Sequence, residues 1–231
     1  MTLRTEVLRL NSVTKDFPNG EGILSLFEPI DLIVNLGDSV SIMGESASGK
    51  STLLHIAAGL EAPTTGSVLW VDNDEEIDVS KMKDSRISMI RNRNIGFIFQ
   101  NNFLLEDFLP VENLMIPALI AGRSKKEARD FALDILQKFH LEYLAKRRIG
   151  NLSGGEKQRV AICRSLINQP KLIFADEPTG SLDQVNAEAV EDILLSLSES
   201  SALILVTHNS SFGARCSVRY RLADRKLQRE E

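Results

Sequence analysis

The sequence predicts an α/β fold built around a mainly parallel sheet. Three observations carry this expectation. Residues 172–175 and Ala202–Val206 are short, continuous apolar runs, the pattern of strands covered on both faces. A helical pattern around residues 186–197 separates them. A third strand, Ser39–Met43, runs into a glycine-containing loop and then into a helical pattern from Lys50 to about Leu60. Strands joined by helices imply parallel pairing with right-handed crossovers, and such sheets bind ligands beyond the carboxyl ends of their strands.

The elements follow in order. The opening third reads as strands, with residues 6–13 alternating apolar and polar. Pro63, Thr64, Thr65 and Gly66 mark a turn, and residues 67–71 form another strand. Residues 72–78 are polar and acidic and read as a loop. Residues 95–99 form a strand that leads straight into Gln100. The middle of the chain then changes character. Ser124-Lys125-Lys126-Glu127 is a capping box, in which each end satisfies an orphan helix donor. Ala128, Phe131, Ile135 and Phe139 follow at helical spacing. Ser153-Gly154-Gly155-Glu156 is a second capping box, opening a helix whose apolar face holds Val160, Cys163 and Ile167 and which Pro170 stops. Residues 101–168 therefore read as a helical insertion, in one unit whose α/β core takes residues 1–100 and 169–231. Residues 215–229 carry mixed charge and are expected to be solvated.

Composition excludes several classes. Apolar residues make up 43% of the chain, enough for a sizeable core, and 27 basic against 32 acidic residues give a net charge of −5. That balance leaves no electrostatic footprint for general nucleic-acid binding. Cys163 and Cys216 form neither a disulfide framework nor a zinc spacing, which suits a reducing compartment. The longest apolar stretches, 53–60 and 114–122, fall short of the ~20 residues that cross a bilayer. Residues 1–10 contain Arg4, Glu6 and Arg9 and lack the apolar stretch of a signal peptide. Any membrane role is therefore expected to come through a partner, and the absence of repeats and heptads argues against solenoids and coiled coils.

Two motifs bear chemistry. Gly44-Glu45-Ser46-Ala47-Ser48-Gly49-Lys50-Ser51 matches the phosphate-loop pattern, with Thr52 next on the helix. Polyphosphate needs many backbone N–H donors on a concave surface and the positive end of a helix dipole. Glycines let the backbone turn and come close, Lys50 can reach the β- and γ-phosphates, and Ser51 can present its hydroxyl to Mg²⁺. An ordinary Gly/Ser loop is the plainer reading, but the strand–loop–helix context argues against it. The second motif is an apolar strand ending in Asp176 and Glu177. Asp176 suits the surroundings of a metal ion, and Glu177 can polarise an attacking water.

Further motifs stand in a fixed order along the chain. Residues 151–159 contain Leu152-Ser153-Gly154-Gly155-Glu156, and residues 175–183 read Ala-Asp-Glu-Pro-Thr-Gly-Ser-Leu-Asp. Gln100 closes a strand, Val206-Thr207-His208 ends another, and Phe17 precedes the phosphate loop. On these residues the chain resembles, over nearly its full length, the ATP-binding subunits of ABC transporters. The resemblance implies that family's ATPase fold, with an N-terminal antiparallel β part and a helical subdomain, and ATP and Mg²⁺ as cofactors. Phe17 would stack on adenine. Lys50 and the backbone of residues 44–51 would hold phosphate, and Ser51, Gln100 and Asp176 would surround Mg²⁺. Glu177 would be the general base, with His208 orienting γ-phosphate and water. Ser153, Gly154 and Gly155 would close the site of a second copy, and Asp183 would link the two sites. A head-to-tail homodimer holding two ATP molecules follows. The signature also has its own physical reading: a capped helix start with two glycines leaves N–H groups uncovered for an anion, and a capping box alone does not explain Gly154 and Gly155. Ala47 departs from the family, where glycine is common. If that position needs φ > 0, alanine costs on the order of 1 kcal/mol.

The runs Leu53-Leu54-His55, residues 59–66 (Gly-Leu-Glu-Ala-Pro-Thr-Thr-Gly), residues 95–100 (Ile-Gly-Phe-Ile-Phe-Gln), Leu104-Leu105 and Val111-Glu112-Asn113-Leu114 narrow the resemblance. They are similar to the lipoprotein-releasing ATPases and their macrolide-exporter and cell-division relatives. This implies a peripheral ATPase on the cytoplasmic face of the inner membrane, driving integral membrane permease subunits and binding no nucleic acid. The expected role is lipoprotein release from the inner membrane, and the alternatives are a cell-division-type regulator of cell-wall enzymes, a macrolide-exporter-type ATPase and a soluble ABC ATPase acting on DNA or ribosomes. The last is disfavoured by the lack of heptads and of a second phosphate loop. Phe103, Leu104, Leu105, Phe108 and Leu109 border the groove that in the family receives the membrane partner, and some of them are expected to stay exposed. His55 reads as packing, His140 as a cation at a helix end, Cys163 as a small buried hydrophobe and Trp70 as a sheet-packing residue.

Overall fold

The computed structural model describes residues 5–20, 22–72 and 75–230. The chain opens with β1 (Glu6–Asn19) and β2 (Gly22–Asn35), an antiparallel pair whose register runs from Glu6 opposite Asn35 to Asn19 opposite Gly22. The register shifts between Leu10 and Val13 and again before Asp16, the mark of bulges that bend a strand and raise its twist. Next come β3 (Ser39–Met43), α1 (Lys50–Ala57), β4 (Thr65–Asp72), β5 (Glu75–Asp78), α2 (Asp84–Asn94) and β6 (Ile95–Ile98). Three helices follow, α3 (Pro110–Ile120), α4 (Lys125–Lys138) and α5 (Gly154–Leu166). The chain closes with β7 (Leu172–Asp176), α6 (Gln184–Ser196), β8 (Ala202–Val206), α7 (Ser210–Ala214), β9 (Val218–Ala223) and β10 (Lys226–Glu230).

The strands form two sheets. One is four-stranded in the order β2-β1-β4-β5, with antiparallel neighbours throughout. The other is six-stranded in the order β10-β9-β3-β8-β7-β6. All its pairs are parallel except the edge pair β9–β10. Successive residues of its central strands face opposite layers, as the pleat requires. Leu172 and Phe174 of β7, with Ile204 and Val206 of β8, join the core that packs against the antiparallel sheet and α1. Ile173, Ala175, Leu203 and Leu205 point the other way, into a core with Val190 and Leu194 of α6 and Phe212 of α7. A third apolar cluster draws its buried members from residues 104–167 alone, with Leu114, Leu136 and Leu144 fully buried. Both expected capping boxes form, at Ser124–Glu127 and Ser153–Glu156.

Several expectations need correction. Within the acidic stretch 72–78, residues 75–78 are not loop but β5, paired with β4 with Asp78 opposite Leu69; Asn73 and Asp74 lie outside the described residues, as do residues 1–4 of the opening segment. The terminal segment 215–229 keeps most of its charged residues in solvent, as expected, but it is built into the sheet. Its β9 pairs in parallel with β3, and Leu222 is buried against the phosphate-loop side of the sheet. Charged residues mask this strand because β9 has only one strand between it and the sheet edge, and most of it is only partly buried. Helix α1 ends at Ala57, three residues early, with Gly59 in the left-handed region (φ +63°) just beyond. A side chain at Gly59 would press on Ile87 and the Trp70 ring. Trp70 itself is buried and donates its indole N–H to the Ala57 carbonyl at 2.9 Å.

Leu136 is fully buried in the helical cluster, facing no strand. Leu136→Ala is expected to lower unfolding free energy by about 2–5 kcal/mol through lost burial and a residual cavity. The shift in the urea midpoint at unchanged slope measures it.

Candidate active site

The site lies beyond the carboxyl ends of β3, β8 and β7. Parallel register puts Ile42 beside Val206 and Val206 beside Asp176, so the residues that follow these three strands converge. Gly44 leaves β3 under the chain of β9, and any side chain there would collide with the Leu222 carbonyl oxygen. Glu45, Ser46 and Ala47 are exposed, and Ala47 takes φ +63°, a conformation alanine adopts at a cost of roughly 1–2 kcal/mol. Gly49 caps α1 in the left-handed region (φ +97°), and the Leu26 side chain occupies the space its own would need. Lys50, 8% exposed, curls back so that its ammonium donates to the carbonyls of Gly44 at 2.9 Å and Glu45 at 2.6 Å. Ser51 donates its hydroxyl to Asp176 Oδ1 at 2.9 Å, and Thr52 follows, half-buried, on α1.

Asp176 ends β7 largely withdrawn from solvent. Burial raises its carboxyl above the ordinary aspartate value, opposed by the Ser51 hydroxyl. Glu177 sits in the left-handed region (φ +44°), its N–H held by the Val206 carbonyl at 2.9 Å. Its Oε2 accepts from the His208 main-chain N–H at 3.3 Å and lies 2.8 Å from His208 Nδ1. The Gln100 amide reaches the same turn, its Nε2 lying 3.3 Å from where a Cβ on Gly180 would stand. A cavity of about 450 Å³ opens here, lined among others by Glu177, Gly180, His208 and Asn209. Phe17 lies on β1 opposite Leu24, two residues before the Leu26 that covers Gly49, so its half-exposed ring stands near the loop with the Lys15 ammonium 5.1 Å from its centre.

At the start of α5, Ser153 and Gly154 are exposed. The Ser153 hydroxyl accepts from the Glu156 N–H at 3.2 Å, and Glu156 accepts from the Ser153 N–H at 2.8 Å. Gly155 has an intramolecular reason to be glycine, because the Asn186 side chain fills the place of its Cβ. Asn186 in turn donates to Asp183, the cap of α6, at 2.7 Å. These bonds from Asn186 hold the Asp183 carboxyl below its ordinary value. The close approach accounts for Gly155 but not for Gly154, which meets only the Leu182 side chain at 3.8 Å.

Three residues here make contacts that the motifs do not announce. His55 lies one turn beyond Ser51 on the same face of α1, and its Nε2 is 3.7 Å from Asp176 Oδ2. That i, i+4 spacing was the available signal. Asn186 is visible only as the third residue after a helix-capping aspartate. Asn209 follows His208, caps α7 through its side-chain oxygen and donates to the buried Glu191 at 3.2 Å, anchoring the His208 turn. Of the five residues after Gln100, Phe103, Leu105 and Phe108 are exposed, while Leu104 is buried and Leu109 half-buried. Cys163 is buried, which pushes its thiol up to about 12 and makes it inert. His140 is an exposed residue at φ +55° just past α4. Among the described residues no helix is long and apolar enough to cross a membrane, and no three His, Cys, Asp or Glu side chains form a metal cluster.

The ABC transporter family model matches residues 27–180, which hold the phosphate loop, Gln100, the Ser153 helix start and the Asp176–Glu177 strand end. The lipoprotein-releasing system ATP-binding protein LolD of Treponema denticola is 39% identical over 225 residues, covering 96% of this chain and 98% of that protein. Its namesake in Shewanella denitrificans is 40% identical over 229 residues, covering 98% and 97%. A dimeric ATP-binding cassette solved in a post-hydrolysis state with ADP and Pi superposes with a TM-score of 0.86 at 35% identity, covering 97% of each chain. The chain belongs to the ABC transporter family and is one of its ATP-hydrolysing subunits.

Proposed function

We propose that this ATPase powers lipoprotein release from the inner membrane, working as a homodimer beneath separate membrane permease subunits on the cytoplasmic face. The observation that carries the catalytic part is the convergence of Ser51, Asp176, Glu177 and His208 at neighbouring strand ends. Lys50 is already coiled over the loop, and its ammonium exchanges carbonyl partners for the β- and γ-phosphates when nucleotide enters. The Ser51 hydroxyl, the Asp176 carboxylate and the Gln100 amide oxygen are hard oxygen donors and fit Mg²⁺. The ion, when bound, neutralises phosphate charge during transfer. Glu177 accepts a proton from the attacking water as its oxygen bonds to the γ-phosphorus. The bond from that phosphorus to the β-phosphate oxygen breaks, leaving ADP and phosphate. His208, in contact with Glu177, orients the γ-phosphate and the water. Phe17 offers a stacking face for adenine.

The exposed start of α5 supports a site shared between two copies. Ser153 and Gly154 stand uncovered at a helix N-terminus, where an anion from another chain is favoured. The dimeric state of the similar ADP-bound cassette supports this arrangement. Asp183, tied through Asn186 to Gly155, links the shared surface to the Glu177 turn. The helical residues 101–168 serve as the arm that carries Ser153. Exposed Phe103, Leu105 and Phe108 support docking of a membrane subunit, which covers an apolar patch. Full-length similarity to lipoprotein-releasing proteins of two organisms favours that substrate over other cargo.

Three outcomes test this reading. Glu177→Gln is expected to lower kcat by about 10²–10⁴-fold while retaining ATP, and to accumulate dimer with ATP in sedimentation velocity. Ser153→Arg is expected to abolish hydrolysis while leaving ATP affinity of the monomer unchanged, as read by calorimetric titration. Glu177→Gln used as bait in detergent-solubilised native membranes is expected to recover few-span permease subunits with large periplasmic domains together with lipoproteins. Recovery of cell-wall factors instead moves the role to division, and recovery of ribosomal or DNA-bound proteins alone contradicts a transport role.

A further inference from the structure

Residues 99–109, between β6 and α3, form neither helix nor strand, yet their main chain is held from two sides. Asn113 of α3 is fully buried and completes one side. Its side-chain oxygen accepts from the Leu105 N–H at 2.8 Å, and its Nδ2 donates to the Leu105 carbonyl at 3.1 Å. The other side belongs to α5. Gln158, buried, donates to the Phe99 carbonyl at 3.2 Å. Arg164 donates through one terminal nitrogen to the Asn102 carbonyl at 2.7 Å and through the other to the Phe103 carbonyl at 2.6 Å.

Arg164 is half-buried, and among the described residues no carboxylate stands within ion-pairing distance of it. A guanidinium drawn out of water without a counter-ion is unfavourable unless its donors are used. Here the planar fork spans two successive carbonyls, a geometry that a flexible single amine cannot match. An apolar side chain would pack at this position without that cost. The presence of arginine therefore points to the two hydrogen bonds themselves.

We infer that Arg164 is a positioning residue that locks the loop carrying Gln100 and Phe103 to the helix that starts at Ser153. This rests on the ATPase reading above. Helix α5 is 13 residues long, about 20 Å at ~1.5 Å per residue. Its first turn carries the exposed anion-binding end, and its last turn carries the fork. A shift at the exposed Phe103 surface is thereby passed to the Gln100 amide, instead of being absorbed by a loose loop.

The test uses the purified full chain and two substitutions, Arg164→Met, which removes both donors, and Arg164→Lys, which keeps the charge with one amine. In Arg164→Met, amide exchange across 99–105 is expected to quicken about tenfold while exchange within α5 stays unchanged. The kcat is expected to fall about tenfold with ATP affinity within about twofold, and Arg164→Lys to lie between. Because Arg164 acts through Gln100, adding Arg164→Met to Gln100→Ala is expected to cause no further loss. Unchanged exchange across 99–105 overturns the inference, as does an equal fractional loss of kcat in both backgrounds. If the unaltered chain hydrolyses no ATP, the functional reading fails alone, and the exchange measurement still decides the role of Arg164. Should Arg164→Met fold poorly, Arg164→Lys carries the same two readouts.

Discussion

The chemistry of this chain depends on one alignment, the level finish of β3, β8 and β7. Parallel register fixes Ile42, Val206 and Asp176 side by side, and each strand then delivers its functional segment within two residues. β3 delivers the phosphate loop, β7 delivers Asp176 and Glu177, and β8 delivers His208. A slip of one residue in any strand would turn its side chains to the opposite layer and separate these groups. The two apolar cores oppose such a slip, because Phe174 and Ile204 on one face and Ile173 and Leu205 on the other each have a filled pocket. Two of the eight non-glycine residues with positive φ among the described residues lie where the alignment is used. Ala47 and Glu177 both hold left-handed backbone without being glycine, a conformation tolerated where the surroundings over-determine it.

The surface proposed to close the site of a second copy is built on the helical residues 101–168. Helix α5 presents Ser153 and Gly154 outward while its other contacts reach inward. Gly155 lets Asn186, and through it the Asp183 turn, press against the helix start. Gln158 and Arg164 hold the loop after β6 from the same helix. The helix thus meets Leu182 and Asn186 at its start and holds the Asn102 and Phe103 carbonyls near its end. In the proposed function, nucleotide chemistry and partner docking would meet on this one helix.

Much of this was legible in the sequence because it is local. The phosphate loop, the Asp176–Glu177 strand end and both capping boxes are written in consecutive residues whose spacing has a physical cause. The buried strands β3, β7 and β8 show as unbroken apolar runs. What stayed hidden depends on pairing between distant segments. β9 looks like a charged tail, and only its place beside β3 reveals that Leu222 covers Gly44. β5 is four residues of mostly acidic character, made a strand by pairing with β4. The role of Asn186 beside Gly155 depends on the packing of α6 against α5, which no sequence period encodes. His55 was readable in principle from its turn-distance to Ser51, but a lone histidine on a buried helix is more often packing.

In the proposed dimer the Gly44–Ser51 loop of one copy and the Ser153 end of another enclose the same nucleotide. Determining the structure of Glu177→Gln with ATP and Mg²⁺ tests it most directly. Two ATP molecules are expected, each with its γ-phosphate between Lys50 of one protomer and the Ser153 helix start of its partner. Nucleotide held by the phosphate loop with every Ser153 facing solvent would contradict it.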